Sequence, residues 1–218
     1  LIGAVASYLA GNLPGKKAGV LPGIVATTFS ALTFANVYLN SKETLAGKVL
    51  ELDLGNWFLN IDFTFTLDVL STVFCLVITG VGTLIHIFAN VYMSSEGGRD
   101  RFFSYLNLFL FFMLMLVLSS NLPVMFAGWE GVGLCSYLLI GFWYKDKANS
   151  LAAKKAFVVN RIADAAFIAA MALVYKATGN FSLSGLPSIE ESSLIALLFF
   201  IAASGKSAQM PFHVWLPD

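Results

Sequence analysis

The sequence predicts an all-α polytopic membrane protein of about seven transmembrane helices, the first and last incomplete, with a small β-hairpin outside the bilayer. Three observations carry this. Of 218 residues, 58% are hydrophobic and only 12% charged, where soluble domains run nearer 25% charged. Apolar stretches of about twenty residues recur, the length that crosses a hydrocarbon layer of about 30 Å. The charges fall between those stretches, with four exceptions. Mean hydropathy is +0.78. Net charge is zero, so composition favours neither nucleic acid nor an acidic partner.

In chain order, residues 1–10 form the tail of a first span and 11–17 a loop. Residues 19–39 are a second span, followed by a polar stretch at 40–48. Leu50, Leu52 and Leu54 then alternate with Glu51 and Asp53. That period of two belongs to a strand. Strands at 49–54 and 58–65 about a Gly55-Asn56 turn make a hairpin within 49–65. A third span covers 69–93 and a fourth 102–120. Asn121-Leu-Pro123 reverses the chain into a fifth span, 122–144. A basic loop at 145–155 leads to a sixth span, 156–175. A loop at 178–192 precedes a seventh span, 193–210, which Pro211 breaks. The chain opens on Leu1 without a charged leader and stops at Asp218 just after an apolar segment, so it reads as a fragment cut at both ends.

Four charges lie inside spans: Glu130, Arg161, Asp164 and Lys206. Unpaired, they would together cost on the order of 10 kcal/mol on insertion scales. Their signs cancel, so they are expected to face one another in the bundle's middle third. Arg161 and Asp164, three apart on one helix, can pair locally, and Asn160 adds a hydrogen-bonding group to that strip. A set of this kind can transfer protons. A lysine in a dry site gives up its proton readily, and a nearby carboxylate restores it. Parting and re-forming a Lys206–carboxylate pair is therefore a switch. Lys206 stands between Gly205 and Ser207, five residues before Pro211, where a helix can break; broken helices at membrane depth recur in transporters.

Other candidates are weaker. His213 follows the break, where it either extends a proton path from Lys206 or caps the loop. His86, in the third span, reads first as a core or interfacial histidine and second as a relay. Cys75 and Cys135 lie within spans and read as small core hydrophobes. Gly128, Gly131 and Cys135 share a helix face, as do Ala163, Ala166 and Ala170, and close packing explains both sets. Trp57, Trp129, Trp143 and Trp215 read as interfacial anchors. The sequence has no cysteine cluster for iron–sulfur, no histidine pair at haem spacing and no phosphate loop. No metal or cofactor site is therefore expected in this chain.

Three segments carry a resemblance. Gly128-Trp-Glu-Gly-Val-Gly-Leu-Cys-Ser-Tyr-Leu-Leu-Ile-Gly-Phe-Trp-Tyr144 resembles the fifth-helix motif of the largest antiporter-like subunit (chain 5, or subunit L) of NADH-quinone oxidoreductase, respiratory complex I. Lys155-Ala-Phe-Val-Val-Asn-Arg-Ile-Ala-Asp164 is similar to that family's sixth-helix motif. Gly205-Lys-Ser-Ala-Gln-Met-Pro-Phe-His-Val-Trp-Leu-Pro-Asp218 is similar to its seventh-helix break. The likeness is weak before Asp62 and strong from Arg101 onward. Ile162-Ala163 departs from it, since the family often has a larger residue and then glycine there, but no named charge is touched. The resemblance implies a proton-translocating membrane-arm subunit in a hetero-oligomer, with Glu130, Asp164 with Arg161, and Lys206 on the proton path. It implies that NADH, FMN, iron–sulfur clusters and quinone belong to partner subunits. Its implied contacts are the lipid bilayer and the other membrane-arm subunits, especially a neighbouring antiporter-like one. It divides the chain into 1–100, three N-terminal helices with the hairpin, and 101–218, an incomplete first antiporter-like repeat. A second repeat and a lateral helix would follow. A bacterial inner membrane is the expected location, a mitochondrial inner membrane the alternative.

Two other function classes compete. One is the corresponding subunit of a multisubunit Na+/H+ antiporter. The other is a purely structural membrane subunit whose charges only hold helices together. The Gly-Val-Gly-Leu-Cys run after Glu130 favours the respiratory reading. Loop charges give the orientation. One set of alternating loops carries Lys16, Lys17, Arg99, Arg101, Lys145, Lys147, Lys154 and Lys155, while the other carries Lys42, Lys48 and Lys176. The positive-inside rule puts the richer set in the cytoplasm or matrix and the hairpin on the opposite side. An accessibility tag within 145–155 should be reached only from the cytoplasmic or matrix face; labelling from the other face would overturn this orientation.

Overall fold

A computed structural model describes residues 1–12, 20–58, 61–183 and 192–218. Lys16 and Lys17 of the orientation argument lie outside these. Among the described residues, seven helices and one hairpin follow in order: α1 (Ile2–Gly11), α2 (Leu21–Leu45), β1 (Leu50–Phe58), β2 (Ile61–Leu67), α3 (Val69–Tyr92), α4 (Arg99–Leu118), α5 (Leu122–Ile140), α6 (Lys147–Thr178) and α7 (Ser192–Lys206). A short 3-10 helix, Phe212–Trp215, follows α7. The helices α2 to α6 are each long and apolar enough to cross a membrane, whereas α1 and α7 are shorter apolar helices. The chain is a multi-pass membrane protein of the expected class.

Two compact units are present: Leu1–Leu52 with Phe65–Leu118, and Asp53–Thr64 with Ser119–Asp218. Compactness thus places α4 with the N-terminal helices, whereas the division expected from the sequence falls at residue 101. In the first unit α1 packs on α2 and α4, and α2 packs on α3 and α4. Polar side chains tie the α2–α3 seam. Ser30 and Thr83 hydroxyls lie 2.9 Å apart, Thr72 donates to Thr44 at 2.8 Å, and Asn90 donates to Thr27 at 2.8 Å. With lipid outside, no hydrophobic force drives two apolar helices together, so close packing and such bonds hold them. His86 is buried here, its Nδ1 2.7 Å from the Gly82 carbonyl and its ring beside Phe103. That is the core-histidine reading. Cys75 and Cys135 are free and buried.

In the second unit α6 is central, touching α5, α7 and the 3-10 helix. Its apolar core joins Leu122, Phe167, Ala170, Val174, Ile195 and Ala202. Phe126, Trp129 and Phe199 ring Phe167 at centroid distances of 5.2, 5.4 and 5.0 Å. The hairpin tip is pinned to the start of α5. Ser120 donates to the Thr64 carbonyl through both its backbone N–H and its hydroxyl, and Asn121 Nδ2 donates to the Asp62 carbonyl at 2.7 Å. Asn121 also caps α5 by accepting from the Val124 N–H at 3.0 Å, as the Asn-Leu-Pro reversal anticipates.

Several boundaries differ from the sequence expectation. The first strand runs on to Phe58 and the second begins at Ile61, so the hairpin does not reverse at Gly55-Asn56. Gly55 instead lies within β1 at φ +89°, donating its N–H to Asp53 Oδ1 at 2.8 Å. Glycine's tolerance of positive φ lets the strand bend there without ending. The polar stretch after the second span continues as helix to Leu45, its Asn40 and Thr44 side chains donating to carbonyls one turn earlier. The fifth span is 19 residues of helix and ends at Ile140. The basic loop is mostly the first turns of α6. The Asp146 carboxylate accepts from the Ala148 N–H at 2.9 Å, and the Ala- and Lys-rich sequence after it favours helix.

The start of α3 yields a measurable consequence. The Asp68 carboxylate accepts from the Ser71 N–H at 2.8 Å, while the Ser71 hydroxyl accepts from the Asp68 N–H at 2.8 Å, a reciprocal capping box. The Ser71 hydroxyl, which donates to Asp68 Oδ1 at 2.7 Å, and then the Ser71 N–H hold the Asp68 carboxyl below its ordinary value. A depressed carboxyl contributes stability that is present above its unfolded value and is lost as pH falls through its lower folded value. Asp68→Ala should therefore cost about 1 kcal/mol at neutral pH, with the difference from the parent becoming smaller in acid, as read by thermal unfolding at both pH values.

Candidate functional site

The four membrane-depth charges come together on α5, α6 and α7. Glu130 sits about two turns into α5, roughly 12 Å from its start. Asp164 is buried near the middle of α6 and Arg161 lies one turn earlier. Lys206 is the last residue of α7, so the helix ends at the lysine itself, earlier than the Pro211 break expected from sequence. The ending has a defined form. Ala208 takes a left-handed φ of 51°, the Gln209 N–H donates to the Ser204 carbonyl at 2.9 Å, and the Ala208 N–H donates to the Gly205 carbonyl at 3.3 Å. This is a Schellman ending with alanine where glycine is usual. The Trp215 indole closes it by donating to the same Gly205 carbonyl at 3.0 Å.

The charges pair across helices. Arg161 forms a salt bridge with Glu130, and its guanidinium also lies 4.6 Å from the Phe157 ring centroid. Lys206 Nζ stands 3.8 Å from Asp164 Oδ2. The local Arg161–Asp164 pair expected from their spacing is not formed, because Asp164 turns toward α7 and α5 while the guanidinium reaches Glu130. The Lys206–Asp164 contact is an ion pair longer than a charge-assisted hydrogen bond of about 2.8 Å. Lys206 Nζ and Asp164 Oδ2 are both buried and without a hydrogen-bond partner among the described residues, as is Asn160 Oδ1. The ammonium lies 5.4 Å from the Trp129 ring centroid. The Trp129 indole N–H donates to the other Asp164 oxygen, Oδ1, at 2.5 Å.

Two glycines make room. A Cβ on Gly133 would stand 2.7 Å from Lys206 Nζ and 3.7 Å from Arg161 Nη2, so both cations lie against that backbone. A Cβ on Gly205 would collide with the Ala163 Cβ, which sets the close approach of α6 and α7. His213 is in the 3-10 helix past the break, exposed, and none of the four charges is its partner among the described residues.

Sequence reasoning missed Trp129 and Gly133. The signal for Trp129 was available: an indole N–H seven residues into an apolar helix needs an acceptor. Trp57 and Trp143 are half-exposed, but Trp129 and Trp215 spend their N–H groups inside. No signal pointed to Gly133, whose importance is only the space it leaves.

Fold and site together define a multi-pass membrane protein with paired charges between its helices, Asp164 buried and its partners partly so. Residues 119–218 match the family described as NADH:quinone oxidoreductase/Mrp antiporter, TM, and residues 53–103 match NADH-Ubiquinone oxidoreductase (complex I), chain 5 N-terminus. The chain is 41% identical to NADH-ubiquinone oxidoreductase chain 5 of Metridium senile, covering 100% of this chain and 38% of that protein. It is 41% identical to NADH-quinone oxidoreductase subunit L of Campylobacter jejuni over 90% of this chain and 33% of that protein. The subunit L of Escherichia coli is 37% identical, with 100% and 38% covered. The chain thus spans little more than a third of the length of these relatives. Among solved structures, the Mrp complex from Dietzia sp. matches with a TM-score of 0.79 at 24% identity, covering 99% of this chain and 24% of that one. Respiratory complex I from Thermus thermophilus matches with a TM-score of 0.76 at 23% identity, covering 99% and 44%. The chain belongs to the antiporter-like family of NADH:quinone oxidoreductase chain 5 and subunit L.

The two glycines separate geometry from stability. Gly205→Ala should part α6 from α7 and cost about 1–3 kcal/mol, seen as a lower melting temperature of the complete subunit. Gly133→Ala meets the far ends of two flexible side chains, only the Lys206 ammonium closely, so its melting temperature should stay near the parent's while Lys206 Nζ moves in a high-resolution structure.

Proposed function

We propose that the chain is the N-terminal part of a proton-translocating membrane subunit of an NADH:quinone oxidoreductase, in which Lys206 carries the proton. The observation that supports this most is the loose, buried Lys206–Asp164 pair at a helix end. In the paired state Asp164 favours the charged ammonium. When the pair parts, a dry lysine has only the ring and the helix terminus to hold its charge, and the proton leaves for the next acceptor. Re-forming the pair reloads it. Glu130 with Arg161 forms a neighbouring pair whose own opening or closing changes the field at Lys206. His213, exposed beyond the break, is the first candidate acceptor.

NADH, FMN, the iron–sulfur clusters and quinone reside in partner subunits in this reading, and this chain holds no redox centre. Residues 101–218 are the start of an antiporter-like repeat that meets a neighbouring antiporter-like protein in the membrane arm. A bacterial inner membrane is the proposed site, with the basic loops inward. The high fold similarity to the Mrp complex keeps a second reading, the corresponding subunit of a multisubunit Na+/H+ antiporter; that reading requires Na+-dependent transport without quinone reduction.

In the complete protein within its complex, Lys206→Ala and Glu130→Gln should each lower the protons moved per electron by about half or more while quinone reduction continues. An unchanged ratio in an assembled complex would falsify the proposal and leave the charges as helix ties.

A further inference from the structure

Trp129 touches both members of the Lys206–Asp164 pair. Its indole N–H holds Asp164 Oδ1 at 2.5 Å, and its ring lies 5.4 Å from the Lys206 ammonium. Packing alone requires neither contact. The ring already has Phe167 as a neighbour, at 5.4 Å, and that suffices for apolar contact. An indole N–H on a carboxylate at this distance is a charge-assisted hydrogen bond. A cation within about 6 Å of an indole centroid is attracted to the ring face.

The two contacts act in one direction. With Oδ1 taken by the indole, Asp164 offers Lys206 only Oδ2, and the ammonium stops 3.8 Å short of it. Both facing atoms are buried and otherwise unpartnered among the described residues. We propose that Trp129 is a positioning residue that keeps the Lys206–Asp164 pair parted, competing with the lysine for the carboxylate while its ring supports the cation. This deepens the proton-carrying reading of Lys206 and rests on it. The N–H contact also remains on Asp164 when the lysine is neutral, so the carboxylate keeps one partner in both protonation states. Arg161, which shares the Gly133 gap with Lys206, and Glu130 are the other charges facing this pair.

The test uses the complete protein in its assembled complex, with Trp129→Phe, Trp129→Tyr and Asp164→Asn. Trp129→Phe keeps a ring and loses the N–H. The expected high-resolution structure shows Lys206 Nζ within direct hydrogen-bond distance of Asp164, roughly 2.8 Å, and proton movement at least threefold slower. Trp129→Tyr, with a hydroxyl donor, should recover at least half of that loss. In an Asp164→Asn background, Trp129→Phe should have no further effect, because the residue acts through Asp164. An Nζ–Oδ2 distance unchanged in Trp129→Phe, or an equal fold-loss in the parent and Asp164→Asn backgrounds, overturns the proposal. If Trp129→Phe does not assemble, the Trp129→Tyr structure decides it: a parted pair supports the role, and a closed pair with full proton movement overturns it. The distance readings stand whether or not Lys206 carries the proton, so failure of that reading shows separately as an unaffected Lys206→Ala complex.

Discussion

Four charges at membrane depth have to find partners inside the protein, and the rest of the second unit is arranged around that need. An ion at the bilayer centre costs several kcal/mol unless it is compensated. Here compensation runs across helices, Glu130 of α5 to Arg161 of α6 and Lys206 of α7 to Asp164 of α6. Both pairs end on α6, which is also the helix in contact with α5, α7 and the 3-10 helix. Phe167, one turn beyond Asp164, belongs to the apolar core. The contrast with Lys48 and Glu43 is instructive. That pair is close, at 2.6 Å, but more than half exposed, where water screening leaves it worth little.

The position of Lys206 adds a second constraint. A helix C-terminus carries unpaired carbonyls and a partial negative charge, which favours a cation in the last turn. Ending α7 at Lys206 puts the ammonium at that terminus and under the influence of Asp164 together. The ending is fixed from the far side by Trp215, whose indole takes the Gly205 carbonyl, and by Ala208 in a left-handed conformation that costs about 1 kcal/mol relative to glycine. Gly205 is thus used twice, through its carbonyl and through its missing Cβ. The helix break, the close approach of α6 and the lysine's charge are one local device.

Much of this was legible in the sequence, for stated reasons. Apolar run length located α2 to α6, because bilayer thickness sets that length. Glu130, Asp164 and Lys206 stood out because charge inside an apolar run has no cheap explanation. Pairing was not legible. Spacing on α6 favours Arg161 with Asp164, but spacing knows only one helix, and each residue found its partner on another. Helix ends were misjudged wherever polarity was taken for loop. Residues 147–155 and 40–45 are helical because capping and propensity act on polar residues as well as apolar ones. The hairpin turn was misplaced because Gly55, a strong turn signal, here serves a bend within β1. Gly133 was invisible, since its contribution is the volume it does not occupy.

The central claim is that the Lys206–Asp164 separation is a switch and not a fixed strut. The most direct measurement is that separation in high-resolution structures of the parent complex at rest and trapped during turnover. The account predicts two values, one a direct contact near 2.8 Å and one parted by at least the 3.8 Å found here. A single separation, the same in both states, would contradict it.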